Sequence, residues 1–592
     1  MKSRILRFGF VFGIIIFFIG ASIIPSSIGT LNVKVAITSA NSRGYIQDLI
    51  NNATDGDTIY ISSGTYYENI KVNKSISLIG EDKDTTIIMP YNYNKDVVII
   101  SSNWINLSGF TIRKGRQNYY GIEITSNYNS IKGNIISDNY GTGIGVFGSY
   151  NTIMGNDITL NSIDGIEIKS SSHNNIEDNN ILNNLCAIRL QTNSNSNTIK
   201  GNTISSNIDY GIELYSDNNI INGNTISNNG YGIFFQSSSD SNTITGNHIS
   251  DNNCGINLHG LSNSITSNTF LNDGLYLETS DNSIVEDNTV NGKPLVYLED
   301  ESNEIIDIDA GQIILVNCDD ITIQDKEITN TYIGIMLVGT SNSYISNNNI
   351  NSNNNNGINL YLSNNNIISD NTINSNNESG INIRRSSYNT VSNNFISNND
   401  FGINFLNSDN DNIISDNTIN SNNFYGIILS NSNNNKIKGN TIDSNGGDGI
   451  WIKISDLNTI EGNNISKNTV GFKNLDLGSY GNIIYHNNFI DNEENAYDNS
   501  DIGNTWDDGK FGNFWSDYKQ KYPNAKKILQ EGIWDTPYEI PDRDNVDNYP
   551  LIKQWPKSST KPTNKIAVYC WLNLFFEQFP NALPIIRNLL GF

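Results

Sequence analysis

Cysteine, proline, histidine and methionine are scarce in this 592-residue chain, which holds 4 Cys, 11 Pro, 4 His and 4 Met. Each shortage removes a class of protein. Four cysteines cannot staple a chain of this length, and Cys186 and Cys254 occupy one repeat position three periods apart, roughly 14 Å at ~4.8 Å per layer, beyond disulfide reach. Cys318 and Cys570 have no evident partner, so stability must come from packing. Copper handling needs soft or imidazole ligands brought together, whereas His173, His248, His259, His486, Met89, Met154 and Met336 are scattered over different repeat positions. Asp542, Asp544 and Asp547 lack the spacing of a calcium loop and read as a solvated turn. No metal or cofactor is therefore expected. Basic residues are also few: 36 Lys and Arg against 61 Asp and Glu give a net charge of −25. Without a basic stripe to neutralise phosphates, nucleic acid is excluded as a partner.

What the chain has in quantity is one phrase. Gly/Asp/Asn/Ser-Asn-Xaa-Ile, or its apolar equivalent, returns fifteen times, with its Asn at Asn134, Asn156, Asn179, Asn202, Asn224, Asn247, Asn268, Asn288, Asn348, Asn371, Asn394, Asn417, Asn440, Asn463 and Asn488. The apolar residues that close the phrase, from Ile136 to Val290, lie 20 to 23 residues apart; from Ile350 to Ile490 they step by 23 five times and then by 25. A fixed period in this range is the signature of a solenoid.

Within one period three short apolar strands alternate with polar turns, as in Gly211-Ile212-Glu213-Leu214, Asn219-Ile220-Ile221 and Gly223-Asn224-Thr225-Ile226. Alternation over three to five residues is too short for a sandwich or a propeller blade and fits a parallel β-helix. The residue before each phrase Asn is often Gly or Asp, types that tolerate left-handed backbone, so the coil is expected to bend there. An Asn amide donates and accepts at once, and can bond the same residue in the coils above and below; stacked Asp would repel. These Asn are therefore read as an internal ladder holding about nineteen layers in register, roughly 90 Å at ~4.8 Å each. A second Asn follows three residues after the closing residue in twelve of the fifteen copies, among them Asn139, Asn207, Asn353 and Asn468.

The coils resemble the parallel β-helix repeats of the NosD-type and carbohydrate-binding/sugar-hydrolase (CASH) families over roughly residues 40 to 552. Ile46-Gln47, Asp55-Gly56-Asp57-Thr58-Ile59, Gly64-Thr65-Tyr66 and Ser77-Leu78-Ile79-Gly80 resemble the way such proteins begin, with a short capping helix and a first coil. Asn504-Thr505-Trp506-Asp507-Asp508-Gly509, Gly512-Asn513-Phe514-Trp515-Ser516-Asp517-Tyr518 and Asp547-Asn548-Tyr549-Pro550-Leu551 resemble the closing block of secreted NosD-like proteins. The expected fold is an all-β, single-stranded right-handed parallel β-helix of ~23 residues per coil. The expected division is residues 1–30 as signal peptide or N-terminal anchor, 41–490 as the β-helix, 491–552 as an aromatic-rich cap, 553–565 as a linker and 566–592 as an amphipathic helical tail. Lys2, Arg4 and Arg7 before the apolar run Phe8 to Ile19 read as an export signal, which places the protein outside the cell or on its surface.

The charged residues Asp164, Glu167, Arg189, Asp209 and Glu213 form the densest cluster, with Glu167, Arg189 and Glu213 expected in one outward slot on successive coils. This suits an alternating salt-bridge ladder better than a catalytic pair, and the same alternation is expected for Lys438 with Glu461. No catalytic residue stands out. Tyr210 with Tyr231, Phe401 with Tyr425, and Trp451 are the candidate rungs for a glycan. Carbohydrate binding or a surface-structural role is thus the leading reading, for a monomer that touches the membrane through its N-terminal segment or C-terminal tail. A polysaccharide lyase, hydrolase or epimerase on the same scaffold, and the copper-maturation role that the NosD resemblance implies, are the alternatives.

Overall fold

The computed structural model describes residues 33–36, 44–237, 239–277, 283–407, 410–475, 478–500 and 503–556. The expected signal or anchor at 1–30, the tail at 566–592 with Cys570, and the linker beyond residue 556 lie outside the described residues. Each coil gives one short strand to each of three parallel sheets; around residue 220 these are Ile220–Asn222, Thr225–Ser227 and Tyr231–Phe235. Pairing is in register from coil to coil, so Ile199, Ile221, Ile244 and Ile265 stack inside one another at zero exposure while their neighbours point out. Period-two alternation over three residues suffices because a strand such as Ile220–Asn222 buries one side chain and one such as Ile122–Ile124 buries two. The fold is a right-handed parallel β-helix with very little helix.

The chain divides into two compact units, up to Gly292 and from Lys293. The first opens with the strand Val33–Ala36, which pairs with Thr58–Ile61, and then the helix Tyr45–Asn51, which buries Ile46 and Ile50. The Glu68 carboxylate accepts from the amides of Ile46 and Gln47, each at 3.1 Å, satisfying donors that a helix N-terminus leaves open. In the second unit Leu295 pairs with Gln312 and Ile305 with Thr322, a step of 17 residues where Ile345 to Ile368 takes 23. The last layer of this unit is covered by Trp506, Trp515, Trp534 and Tyr538, all buried; Trp515 stacks on Phe489 at 4.6 Å and on Tyr538 at 4.1 Å.

The phrase asparagines are buried at the corner between the first and second sheets. Asn224 typifies them: its Oδ1 accepts from Asn202 Nδ2 at 3.0 Å and from the Asn202 amide at 2.9 Å, and its Nδ2 donates to Asn247 Oδ1 at 2.9 Å and to the Ile199 carbonyl at 3.0 Å. The residue before it, Gly223, has φ 63°; Asp178, before Asn179, has φ 52°. The second expected row, from Asn139 through Asn161, Asn184 and Asn207, makes the same bonds at the corner between the second and third sheets. A third row at the remaining corner went unread in the sequence: Asn129, Asn151, Asn174, Asn197, Asn219, Asn242 and Asn263. Its turns place Tyr128, Tyr150 and His173 at φ 61°, 60° and 58°, bulky residues in a region usually left to Gly or Asn, so no Gly marked them.

One phrase residue is misassigned. Asn463 Nδ2 donates to Asn487 Oδ1 at 2.9 Å, not to Asn488, and Ile465 pairs with Phe489 rather than Ile490. The left-handed residue here is His486, at φ 58°, which fixes Asn487 as the rung. Asn488 instead points out and clamps the Trp555 backbone, donating to its carbonyl at 3.0 Å and accepting from its amide at 2.7 Å.

Most rungs donate toward the C-terminal side, so a row that ends on such a donor needs an acceptor there; Asn288 instead turns its Nδ2 back to the Ile265 and Glu286 carbonyls. Asn252 Nδ2 donates to Asp273 at 2.8 Å, Asn504 Nδ2 to Asp498 at 3.0 Å, and the Asn513 amide to Asp547 at 2.7 Å. Asp547 also accepts from Trp515 Nε1 at 2.8 Å, and Asp542 from the Tyr497 hydroxyl, so these residues serve the cap rather than a cation loop.

Two outcomes follow for stability. Asn224→Ala strands buried amides on both sides and is expected to cost on the order of 1–3 kcal/mol in chemical denaturation, while Asn222→Ala, on an outward position of the same coil, stays within about 0.5 kcal/mol. Burial pushes the Asp273 carboxyl from 3.8 up to about 7 against the hydrogen bonds from Asn252. A raised folded value means that its stabilising share is complete below the ordinary carboxylate value and fades as pH rises through about 7. Asp273→Asn is therefore expected to leave the melting temperature near pH 3 almost unchanged and to raise it above pH 8, with an intermediate rise at pH 5; equal shifts at pH 3 and pH 8 would contradict this.

Candidate functional site

The outer face of the third sheet in the first unit carries the charged cluster. Glu167, Arg189 and Glu213 do share one slot on three coils, but the charges do not alternate as a simple ladder. Arg189 bridges Asp164 through Nη2 at 3.1 Å and Glu213 through Nε at 3.1 Å. Glu167 turns away, accepting from the Tyr120 hydroxyl at 2.9 Å and Gln191 Nε2 at 3.0 Å. Gly145 explains the detour: a Cβ there would meet Tyr120 Cε1 at 2.5 Å, so the empty slot admits the Tyr120 ring. Glu213 accepts further from Tyr215 at 2.9 Å and Gln236 at 3.1 Å. Asp209 stands exposed outside the cluster. Likewise Glu461 pairs with Lys436 at 2.8 Å rather than with its register neighbour Lys438.

Burial pushes Asp164 up to about 7 in spite of Arg189. With 3 % of its side chain exposed, it is out of reach of a substrate. The cluster uses its charges on itself, which suits scaffolding more than acid–base chemistry.

The aromatic candidates lie on the same sheet. Tyr210 and Tyr231 stack at 5.7 Å, and Phe234 packs against both; in the second unit Phe401 stacks on Tyr425 at 5.9 Å and Tyr425 on Trp451 at 5.5 Å. All five candidates are half-buried. Because the rings stack coil upon coil, their faces meet one another and their edges point outward. Beside the second-unit stack, Lys473 pairs with Asp448 at 3.3 Å. A further stack, absent from the sequence reading, runs through Trp104, Tyr128, Tyr150 and His173 at 4.6, 5.0 and 4.8 Å.

Open ring faces occur elsewhere. Turns between the second and third sheets on four successive coils of the first unit line a groove of about 710 Å³ with Tyr93, Arg116, Gln117, Tyr140, Ser162 and Ile163. Its origin is turn length. From Ile88 to Val98 and from Ile112 to Ile122 the chain takes ten residues; from Ile136 to Ile144 and from Ile158 to Ile166 it takes eight. The longer turns overhang the shorter ones. Tyr93 and Tyr140 are 48 % and 57 % exposed. Tyr120, which holds Glu167, follows Gln117 by three residues, so the groove leads toward the charged cluster. Turn residues do not obey the repeat period, and periodicity alone gave no signal for this groove. Arg189→Ala leaves Asp164 and Glu213 buried without a counter-charge and is expected to cost about 3–5 kcal/mol in denaturation.

Among the described residues no three His, Cys, Asp or Glu side chains converge as a metal site. His173 stacks on Tyr150, His486 stacks on Trp555 and contacts Asp508, and Met336 is buried in the core, so these groups do not fit a copper centre. A family model described as periplasmic copper-binding protein (NosD) matches residues 261–424 and 403–520, and one described as right handed beta helix region matches 90–219 and 186–310. No curated protein matches the chain. Similar solved structures include the PL6 family alginate lyase AlyGC (12 % identity, 81 % of this chain and 99 % of that chain, TM-score 0.27). Others are pectate lyase Pel9A (15 %, 44 % and 79 %, 0.27) and a tailspike protein of E. coli bacteriophage HK620 in complex with hexasaccharide (10 %, 69 % and 71 %, 0.28). At these values the structures carry no argument about activity. Its Asn-cornered coils and its two family matches support a NosD-like parallel β-helix repeat family over residues 90–520.

Proposed function

We propose that the protein is an exported β-helix that binds polysaccharide, with the first-unit groove as its principal site. The observation that carries this reading is the pair of open tyrosine rings, Tyr93 and Tyr140, set among the polar groups of Arg116, Gln117 and Ser162 in one groove. Sugar rings present an apolar face and a rim of hydroxyls, and an aromatic face flanked by planar donors matches both. The groove spans four coils, roughly 15 Å at ~4.8 Å per step, so the ligand is extended rather than a single small molecule. Tyr210, Tyr231, Phe401, Tyr425 and Trp451 offer ring edges and are assigned a secondary contact role. Export is supported by the basic and apolar N-terminal run and by the periplasmic description of the matched family.

The test is a glycan array followed by titration calorimetry on the full chain, with reducing-end and unsaturated-product assays in parallel. Tyr93→Ala and Tyr140→Ala are each expected to weaken binding roughly 3- to 10-fold, corresponding to ~0.5–1.5 kcal/mol, without lowering the melting temperature. Failure of every glycan to bind, or binding indifferent to both substitutions, removes this reading; new ends or unsaturated products make the protein an enzyme.

A further inference from the structure

The charge of the groove points to the kind of glycan, an inference that rests on the groove being the glycan site. The chain carries a net charge of −25, yet Arg113-Lys114-Gly115-Arg116 sets three cations in four residues at the overhanging turn. Arg116 lines the groove itself. Its Nη1 donates to Asn94 Oδ1 at 3.2 Å, which fixes the guanidinium while leaving further N–H donors exposed. Lys114 Nζ lies 5.9 Å from the centre of the Tyr140 ring, so that ring has a cation at its border. The Arg113 Nε is buried without a hydrogen-bond partner.

The nearby acids do not cancel this charge. Asp138 stands 3.9 Å from Lys114, a loose and exposed pair that salt screens. Asp96 turns one carboxylate oxygen to the Tyr120 amide, which donates to it at 2.6 Å, rather than to Arg116. A guanidinium held in place beside a sugar platform donates to hydroxyls, but it pairs more strongly with a carboxylate or sulfate, through two parallel hydrogen bonds. We infer that the groove binds an anionic polysaccharide, its sugar rings on Tyr93 and Tyr140 and its acidic substituents on Arg116 and Lys114. The net negative charge of the chain repels the same polymer, which favours its binding at a local region of opposite charge such as this one.

The full chain is titrated with a uronic-acid oligomer, a sulfated galactan oligomer and an uncharged glucan of equal length, at low and at high salt. Binding of one or both anionic oligomers, weakened by salt and lowered about 10-fold or more by Arg116→Gln, is the expected result. Lys114→Gln gives a smaller loss, and both variants keep the parent melting temperature because their side chains are exposed. Preference between the two anionic oligomers identifies carboxylate or sulfate as the acidic group. If the glucan binds as tightly and responds to Tyr140→Ala but not to Arg116→Gln, the charge inference is overturned while the glycan reading stands. If none of the three binds, both are overturned.

Discussion

A primary amide that donates and accepts along one axis is the interaction on which the rest of this molecule depends. Strand pairing alone leaves the corner turns free, although a slip along a strand that buries its isoleucine is costly. Three rows of asparagine remove that freedom by tying each corner to the same corner of the next coil, through Oδ1 on one side and Nδ2 on the other. The core isoleucines then stack in register as a consequence. Hydrophobic burial supplies most of the driving force, but the amides decide which of several equally apolar arrangements is adopted.

Fixing the corners from inside frees the outside. Outward residues can be charged, aromatic or small without altering the scaffold, and turns can gain two residues without disturbing their neighbours, which is how the overhang above Tyr140 arises. The cluster around Arg189 shows the limit of that freedom. Asp164 and Glu213 are covered by adjoining side chains, and there the surface becomes a second interior with its own need for compensation.

The sequence was read well where the period speaks. The sheets, the left-handed corners at Gly223 and Asp178, and the shared slot of Glu167, Arg189 and Glu213 were all legible, because each follows from spacing and residue type. The third asparagine row escaped because Tyr128, Tyr150 and His173 hold corners that glycine marks elsewhere. Asn488 was mistaken for a rung because two asparagines stand side by side, and the left-handed residue that separates them is a histidine, His486. Arg189 chose Asp164 over Glu167 because Gly145 let Tyr120 reach across a coil, a three-body effect invisible to pairwise register. The groove lies in turns of unequal length, where period carries no information.

The one-way donation along the asparagine rows gives the array a head and a tail. Where a row ends on unspent N–H groups, a carboxylate receives them at Asp273, Asp498 and Asp547, and the Ser283 hydroxyl receives the Asn263 amide. Aspartate, unsuited to the middle of a row because it cannot pass the hydrogen bond on, suits the end for the same reason. In evolutionary terms, coils can be duplicated or lost within a run of asparagine rungs without any new invention, since the joints of such a run are alike. A change in the final coil is different: it must carry its acidic terminator with it, so repeat number is free to drift while the terminus stays as it is.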